Sequence, residues 1–163
     1  MTRLVWRIGT DTPHYTADDA TGEGAKRSGG RWNRKGIPVI YSAESIALAV
    51  LETFVHLDSS SLPFNRFLVR IEIPAKIWKK ATILHPSSLE VGWDAEPPGK
   101  ISLDAGDEWL TGSGSLLLRV PSVIVPLECN VLINPQHPEA MELKFEKIQK
   151  WTYDARMVKS RKR

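Results

Sequence analysis

At 163 residues the chain has the length of one domain, with interior enough for a core that needs no disulfide or metal staple. Its 42% hydrophobic and 25% charged content argues against wholesale disorder. No apolar run has the length of a bilayer span, and Met1–Arg7 lacks the apolar core of a signal peptide. The formal net charge of +3 is concentrated at one end: Arg156, Lys159, Arg161, Lys162 and Arg163 carry five positive charges, and taking them away leaves a body at −2. Residues 1–155 therefore read as the domain and 156–163 as a basic, solvated tail. The single cysteine, Cys129, rules out an internal disulfide, reads as a small buried hydrophobe and fits a reducing cytoplasm.

In chain order, Leu4–Ile8 predicts a short strand ended by Gly9. From Thr10 to Gly36 the sequence is polar and glycine-rich, too irregular for a regular element, and a loop of this length is usually functional or mobile. Pro38–Tyr41 predicts a second strand. Ser42 is the expected N-cap of the following helix, with Glu44 in its first turn. Ala47, Leu48, Leu51, Phe54 and Val55 recur at helical spacing as one apolar stripe, with Glu52 at its edge and His56 one turn further on the same side. A carboxylate at such a boundary can reach a cleft.

Phe67–Ile73 predicts a strand stopped by Pro74, and Pro86–Lys100 a connecting loop. Asp104–Leu110 reads as a short helix and Thr111–Ser115 as a turn. Leu116–Val120 and Ser122–Val125 are apolar runs separated by Pro121, Val131–Ile133 precedes the turn signal Asn134–Pro135, and Leu143–Glu146 alternates as a last strand. Strands outnumber helices without regular interleaving, which favours a single α+β domain with mixed or antiparallel sheets.

Several chemistries lack their residues. His14, His56, His85 and His137 are scattered without the spacing of paired metal ligands, so no metal site is expected. There is no G-x-x-x-x-G-K-[ST] loop and no G-x-S-x-G elbow. Gly29–Gly30–Arg31 is more suggestive: glycines admit a close ligand, and a guanidinium fork matches phosphate oxygens. One strand-to-helix turn joins Tyr41 to Glu52, so both can share a cleft beneath the arginine loop. Such a set suits cleavage of an N-glycosidic bond in a dinucleotide. The arginine clamps the diphosphate, the aromatic ring packs the nicotinamide, and the carboxylate faces the carbon that becomes positive.

Six segments in order, Trp6–Ile8, Gly30–Asn33, Val39–Ser42, Leu51–His56, Pro121–Ile124 and Asn130–Pro138, resemble the RES-domain family, which is named for an arginine, a glutamate and a serine. Here those would be Arg31, Glu52 and Ser122. The resemblance implies a fold similar to ADP-ribosyltransferase domains. It also implies the toxin of a bacterial type II toxin–antitoxin system that consumes NAD, by transfer of ADP-ribose to a protein, by hydrolysis or by phosphorolysis. By position, Arg7 and Arg31 would hold the NAD phosphates, Tyr41 would pack nicotinamide, Glu52 would be catalytic and Ser122 would support the site, with His56 and Asn130 as further candidates. The implied partner is an Xre-like antitoxin that blocks the active site. The competing reading is a non-enzymatic nucleic-acid-binding module using the basic tail and the six Trp. It needs aromatic and basic residues interleaved on one face, whereas the Trp are dispersed.

Overall fold

The computed structural model describes residues 1–58, 61–112 and 114–159. Strand β1 spans Thr2–Thr10, longer than Leu4–Ile8, because it pairs with β3 over its whole length, from Thr2 opposite Pro74 to Thr10 opposite Arg66. The polar stretch after it is not wholly irregular: Glu23–Ser28 forms helix α1, whose Glu23 N–H is accepted by Asp19 and whose last turn carries Lys26 and Arg27, the favourable charges for a C-terminus. Strand β2 is Ile40–Ala43, two residues later than Pro38–Tyr41. Pro38 has no N–H to give, and the ladder with β6 runs instead from Ile40–Ile133 to Ala43–Asn130.

That shift moves the start of helix α2, Ile46–Phe54. Ser42 is still in the strand, its hydroxyl donating to the Val131 carbonyl at 2.7 Å, and Ser45 is the N-cap, accepting from the Leu48 N–H. Glu44 precedes the helix and pairs with Arg119 and Arg3. The apolar stripe is also rotated from the expected one. Leu48 and Ala49 are buried against Ile8, Ala43 and Leu68, while Ala47 and Val55 face solvent.

Strand β3, Arg66–Pro74, leads straight into the short helix α3, Ala75–Trp78. Strand β4 is the two-residue Thr82–Ile83. Helix α4, Lys100–Gly112, extends the expected Asp104–Leu110 at both ends and absorbs Thr111 and Gly112. Strand β5, Leu117–Pro121, ends on Pro121, and the apolar run Ser122–Val125 forms a turn. Strand β6 is Cys129–Ile133, β7 is Lys144–Lys150, and α5, Arg156–Lys159, takes the first part of the basic tail. Residues 160–163 lie outside the described residues.

The strands form one sheet in the order β4-β5-β6-β2-β1-β3-β7, antiparallel except for β4 beside β5. An α+β architecture is the result. The sheet splits at its middle: β1 and β2 share a single registered pair, Trp6 with Ala43, although both strands continue past it. One core cluster joins the two halves, with Val5, Val69 and Ile71 from one half and Ile40, Val131 and Ile133 from the other. On the opposite face α2 covers Ile8, Ala43 and Leu68, while Trp32 and Trp109 cover Leu118, Val120 and Leu132. Gly106 of α4 is what lets that second cover close. A Cβ there would lie 1.7 Å from the Trp32 carbonyl oxygen, so only glycine allows the helix against the Gly29–Asn33 loop.

Cys129 is half-buried rather than buried, and the burial it has pushes its thiol pKa up, which keeps it protonated. No helix among the described residues is long and apolar enough to cross a membrane.

Candidate active site

Glu52 sits near the end of α2, half-buried as its place at the stripe's margin implies. Its Oε1 accepts two hydrogen bonds, from Ser122 Oγ at 2.7 Å and Asn130 Nδ2 at 2.6 Å. Both donors come from the β5–β6 hairpin, 70 and 78 residues further along the chain. Ser122 is fully buried. Its oxygen also accepts from the Ile124 and Val125 N–H groups, at 3.1 and 3.0 Å, which closes the turn after β5 and aims the hydroxyl hydrogen at Glu52. Asn130 stands opposite Ala43 on β2, on the face that α2 covers. The carboxylate is thus held at one oxygen. Oε2 takes no hydrogen bond from a described residue and is not sealed in the interior.

Tyr41 is on the same face, two residues from Ala43 and therefore a diagonal neighbour of Asn130, roughly 7–8 Å apart between backbones. Its hydroxyl is fully committed to the arginine loop: it donates to Asn33 Oδ1 at 2.7 Å and accepts the Trp32 N–H at 3.0 Å. Burial pushes its pKa up, so the donated proton stays in place. Gly30 permits this approach, since a Cβ there would be 2.7 Å from the hydroxyl. Tyr41's ring packs with Trp32, Leu118 and Leu132. Tyr41→Phe is accordingly expected to cost roughly 1–3 kcal/mol, the price of leaving a buried donor and acceptor unmatched, and Tyr41→Ala more. Urea unfolding checks this, and an unchanged midpoint for the Phe variant would show that the hydroxyl contributes nothing to loop placement.

Asn33, quoted in the sequence but given no role there, is the hub of this loop. It is 1% exposed, and its amide donates to the Ala25 and Ile37 carbonyls while its oxygen takes the Tyr41 proton. Arg34 adds a second tie, to Asp104 and Asp107 of α4. Arg31 engages the segment Trp93–Glu96. Its Nη1 donates to the carbonyls of Trp93 and Ala95, at 3.2 and 2.7 Å, and its Nη2 pairs with Glu96 at 2.9 Å. Arg31 is near enough to Tyr41 for its charge to act on the hydroxyl, but no hydrogen bond or ion pair among the described residues joins it to Glu52. The segment Trp93–Glu96 was not recognisable as part of a site, since nothing in its local pattern marks it.

Arg7 lies on β1 just beyond the last pair with β2, on the Val5 face rather than the Trp6 and Ile8 face that α2 covers. Burial lowers its pKa, opposed by the charge of Asp19. Its Nε is buried without a hydrogen-bond partner, as are the Nε atoms of Arg66 and Arg70. His56 is exposed past the end of α2, its backbone N–H bonded to the Thr53 carbonyl, and among the described residues no hydrogen bond or ion pair joins it to Glu52. Among the described residues no group of three or more His, Cys, Asp or Glu is placed to hold a metal ion.

The RES domain family matches residues 4–156. The Prs ADP-ribosylating toxin of Sphingobium sp. (strain YBL2) is 52% identical over 159 residues, covering 98% of this chain and 99% of that protein. Toxin Res of Yersinia enterocolitica is 43% identical over 76% of this chain and 79% of its own length, and Toxin Res of Pseudomonas putida 36% identical over 94% and 99%. Among solved structures, a chain of the M. tuberculosis MbcT–MbcA toxin–antitoxin complex superposes with a TM-score of 0.69 at 17% identity, covering 98% of this chain and 88% of that one; this likeness concerns the fold.

Proposed function

The chain belongs to the RES-domain family, and on that premise we propose that it is the toxin of a toxin–antitoxin pair and that it consumes NAD by breaking the bond between nicotinamide and ribose. The observation that carries the reading is the Glu52 carboxylate, fixed through one oxygen by Ser122 and Asn130 with the other left open. A carboxylate so held keeps its charge aimed at one place without reorganising, which is how a positive centre at the ribose anomeric carbon is stabilised. Nicotinamide leaves as a neutral ring, so no general acid is needed.

The remaining residues complete the site. Arg31 supplies donors for the diphosphate. Tyr41 acts chiefly by holding the Gly30–Asn33 loop through its bonds to the Trp32 N–H and the Asn33 side chain, with its ring edging the same face. Asn130 joins Ser122 as a positioning residue for Glu52.

For the acceptor, the relative that is 52% identical from end to end is named for ADP-ribosylating Prs, which supports transfer of ADP-ribose to Prs rather than loss to water. The relatives' names as toxins and the toxin–antitoxin complex of the structural neighbour support an antitoxin as partner; that it is Xre-like and covers the active site is part of the proposal. Nucleic-acid binding through the Trp residues gains no support. Trp32 stacks on Trp93, Trp109 is buried, Trp6 and Trp151 pack beside α2, and Trp78 lies under Arg3 and Arg119, so these rings are spent on internal packing.

The deciding experiment incubates the purified chain and Prs with NAD labelled in its adenylate half. Label on Prs is the expected result. Label recovered as free ADP-ribose or its phosphorylated form means degradation, and intact NAD means that the reading is wrong.

A further inference from the structure

Arg31 is a cation with little access to water, its side chain 15% exposed, and it must be neutralised by something close. Two of its three partners are backbone carbonyls, of Trp93 and Ala95, which accept hydrogen bonds but carry no net charge. Among the described residues the carboxylate of Glu96 is its one ion-pair partner, and that group is 71% exposed. The segment carrying these acceptors does not depend on Glu96 for its position. Trp93 is stacked on Trp32, with ring centroids 6.2 Å apart and planes 28° from parallel, and the two carbonyls already fix the guanidinium against it.

The three contacts therefore differ in kind. The carbonyl bonds and the Trp stack are structural, while the Glu96 pair is a single, solvent-facing contact of the weak class. A diphosphate offers the same Nη2 a more highly charged acceptor with several oxygens. Resting on the reading above that Arg31 meets the substrate diphosphate, we propose that Glu96 is a placeholder for that diphosphate, displaced from Arg31 when NAD binds, and so sets the enzyme's affinity for NAD. Arg31 keeps its carbonyl bonds throughout, and the Trp93–Ala95 strap stays where it is. Each binding event then replaces one anion by another at the same nitrogen.

The consequence is a residue that weakens substrate binding without entering the chemistry. Glu96→Gln keeps size and polarity, removes the competing charge at an exposed position and leaves the fold alone. It is expected to lower the KM for NAD by roughly two- to five-fold, the range of an exposed ion pair, with kcat unchanged. The gain should shrink as salt is added, because the competing charge is screened. Two comparisons separate this from a general effect of charge. Asp94→Asn removes an exposed negative charge two residues away, with no bond to Arg31, and should leave KM where it was. In an Arg31→Gln background, Glu96→Gln should change nothing, since the group it competes at is gone.

Steady-state NAD consumption by the full chain and these variants tests it. A lower KM in Glu96→Gln alone, absent in the Arg31→Gln background, supports the placeholder. An unchanged or higher KM, or an equal gain in Asp94→Asn, overturns it while NAD consumption by the wild type stands. If Arg31→Gln itself leaves KM unaltered, Arg31 does not meet the diphosphate and the inference falls with that assignment. Absence of NAD consumption by the wild type would instead sink the functional reading beneath it.

Discussion

Glu52→Gln is expected to lower NAD turnover by roughly 10²–10³-fold, the scale on which one preorganised electrostatic group acts in a transition state. The substitution isolates charge from shape. With the amide oxygen in the place of Oε1, the Ser122 hydroxyl and the Asn130 amide keep their acceptor, so the two contacts that fix the side chain survive. What changes is the open end, where a carboxylate oxygen becomes a neutral NH₂ that faces the developing positive charge. Stability should alter little, since Glu52 is only half-buried and both hairpin donors remain matched. Glu52→Ala is a poorer probe, because it strands the Asn130 amide and the Ser122 hydroxyl as well as removing the charge. Single-turnover measurements beside thermal unfolding give the comparison. Turnover near the wild-type rate in a folded Glu52→Gln protein would remove Glu52 from the catalytic role.

How far such a site can be read from sequence depends on whether its contacts are local. The strands with alternating or β-branched runs, around Val5, Val69 and Val131, were legible because their cause lies within five or six residues. The position of Glu52 at the margin of an apolar stripe was legible for the same reason, even though burial of Ala49 in place of Ala47 turned that stripe from the expected angle. Ser42 and Ser45 show where local reasoning gives way. Either serine can cap a helix, and the choice fell to the Val131 carbonyl on a strand 89 residues distant, which claims the Ser42 hydroxyl and keeps β2 extended through Ala43. Helix α1 escaped notice because six residues flanked by Gly22 and Gly29 carry no apolar periodicity, and the helix buries no side chain.

The site itself divides in the same way. The expectation that Arg31, Tyr41, Glu52 and Ser122 form the site came from the motif, but their partners did not. The Tyr41 hydroxyl serves Asn33 and Trp32 instead of standing open to a ligand, and Arg31 is engaged by a segment more than 60 residues away whose only local mark is a proline-rich neighbourhood. Those contacts exist because α4 comes against Trp32 at Gly106 and brings the preceding segment with it. No spacing rule encodes that approach.

Ser122→Ala is expected to lower kcat by up to about 10²-fold, the cost of a misplaced catalytic group, with KM for NAD nearly unchanged. Ser122 touches neither reacting atom in this reading and acts through Glu52. Alanine removes three hydrogen bonds at once: the 2.7 Å bond to the carboxylate and the two that hold the Ile124 and Val125 amides. The turn keeps its backbone closure from the Ser122 N–H to the Glu128 carbonyl at 2.9 Å, so it loosens rather than unfolds, and stability should fall by roughly 0.5–1.5 kcal/mol for each lost amide bond. Ser122→Thr retains the hydroxyl and should recover most of the activity if the added methyl is accommodated at this fully buried position. The decisive readout is the double variant. If Ser122 works only by aiming Glu52, then adding Ser122→Ala to Glu52→Gln costs little more than Glu52→Gln alone, because there is no charge left to aim. A further hundredfold loss in the double variant, with the fold intact by near-ultraviolet circular dichroism, would mean that Ser122 meets the substrate itself and that the carboxylate is positioned by Asn130.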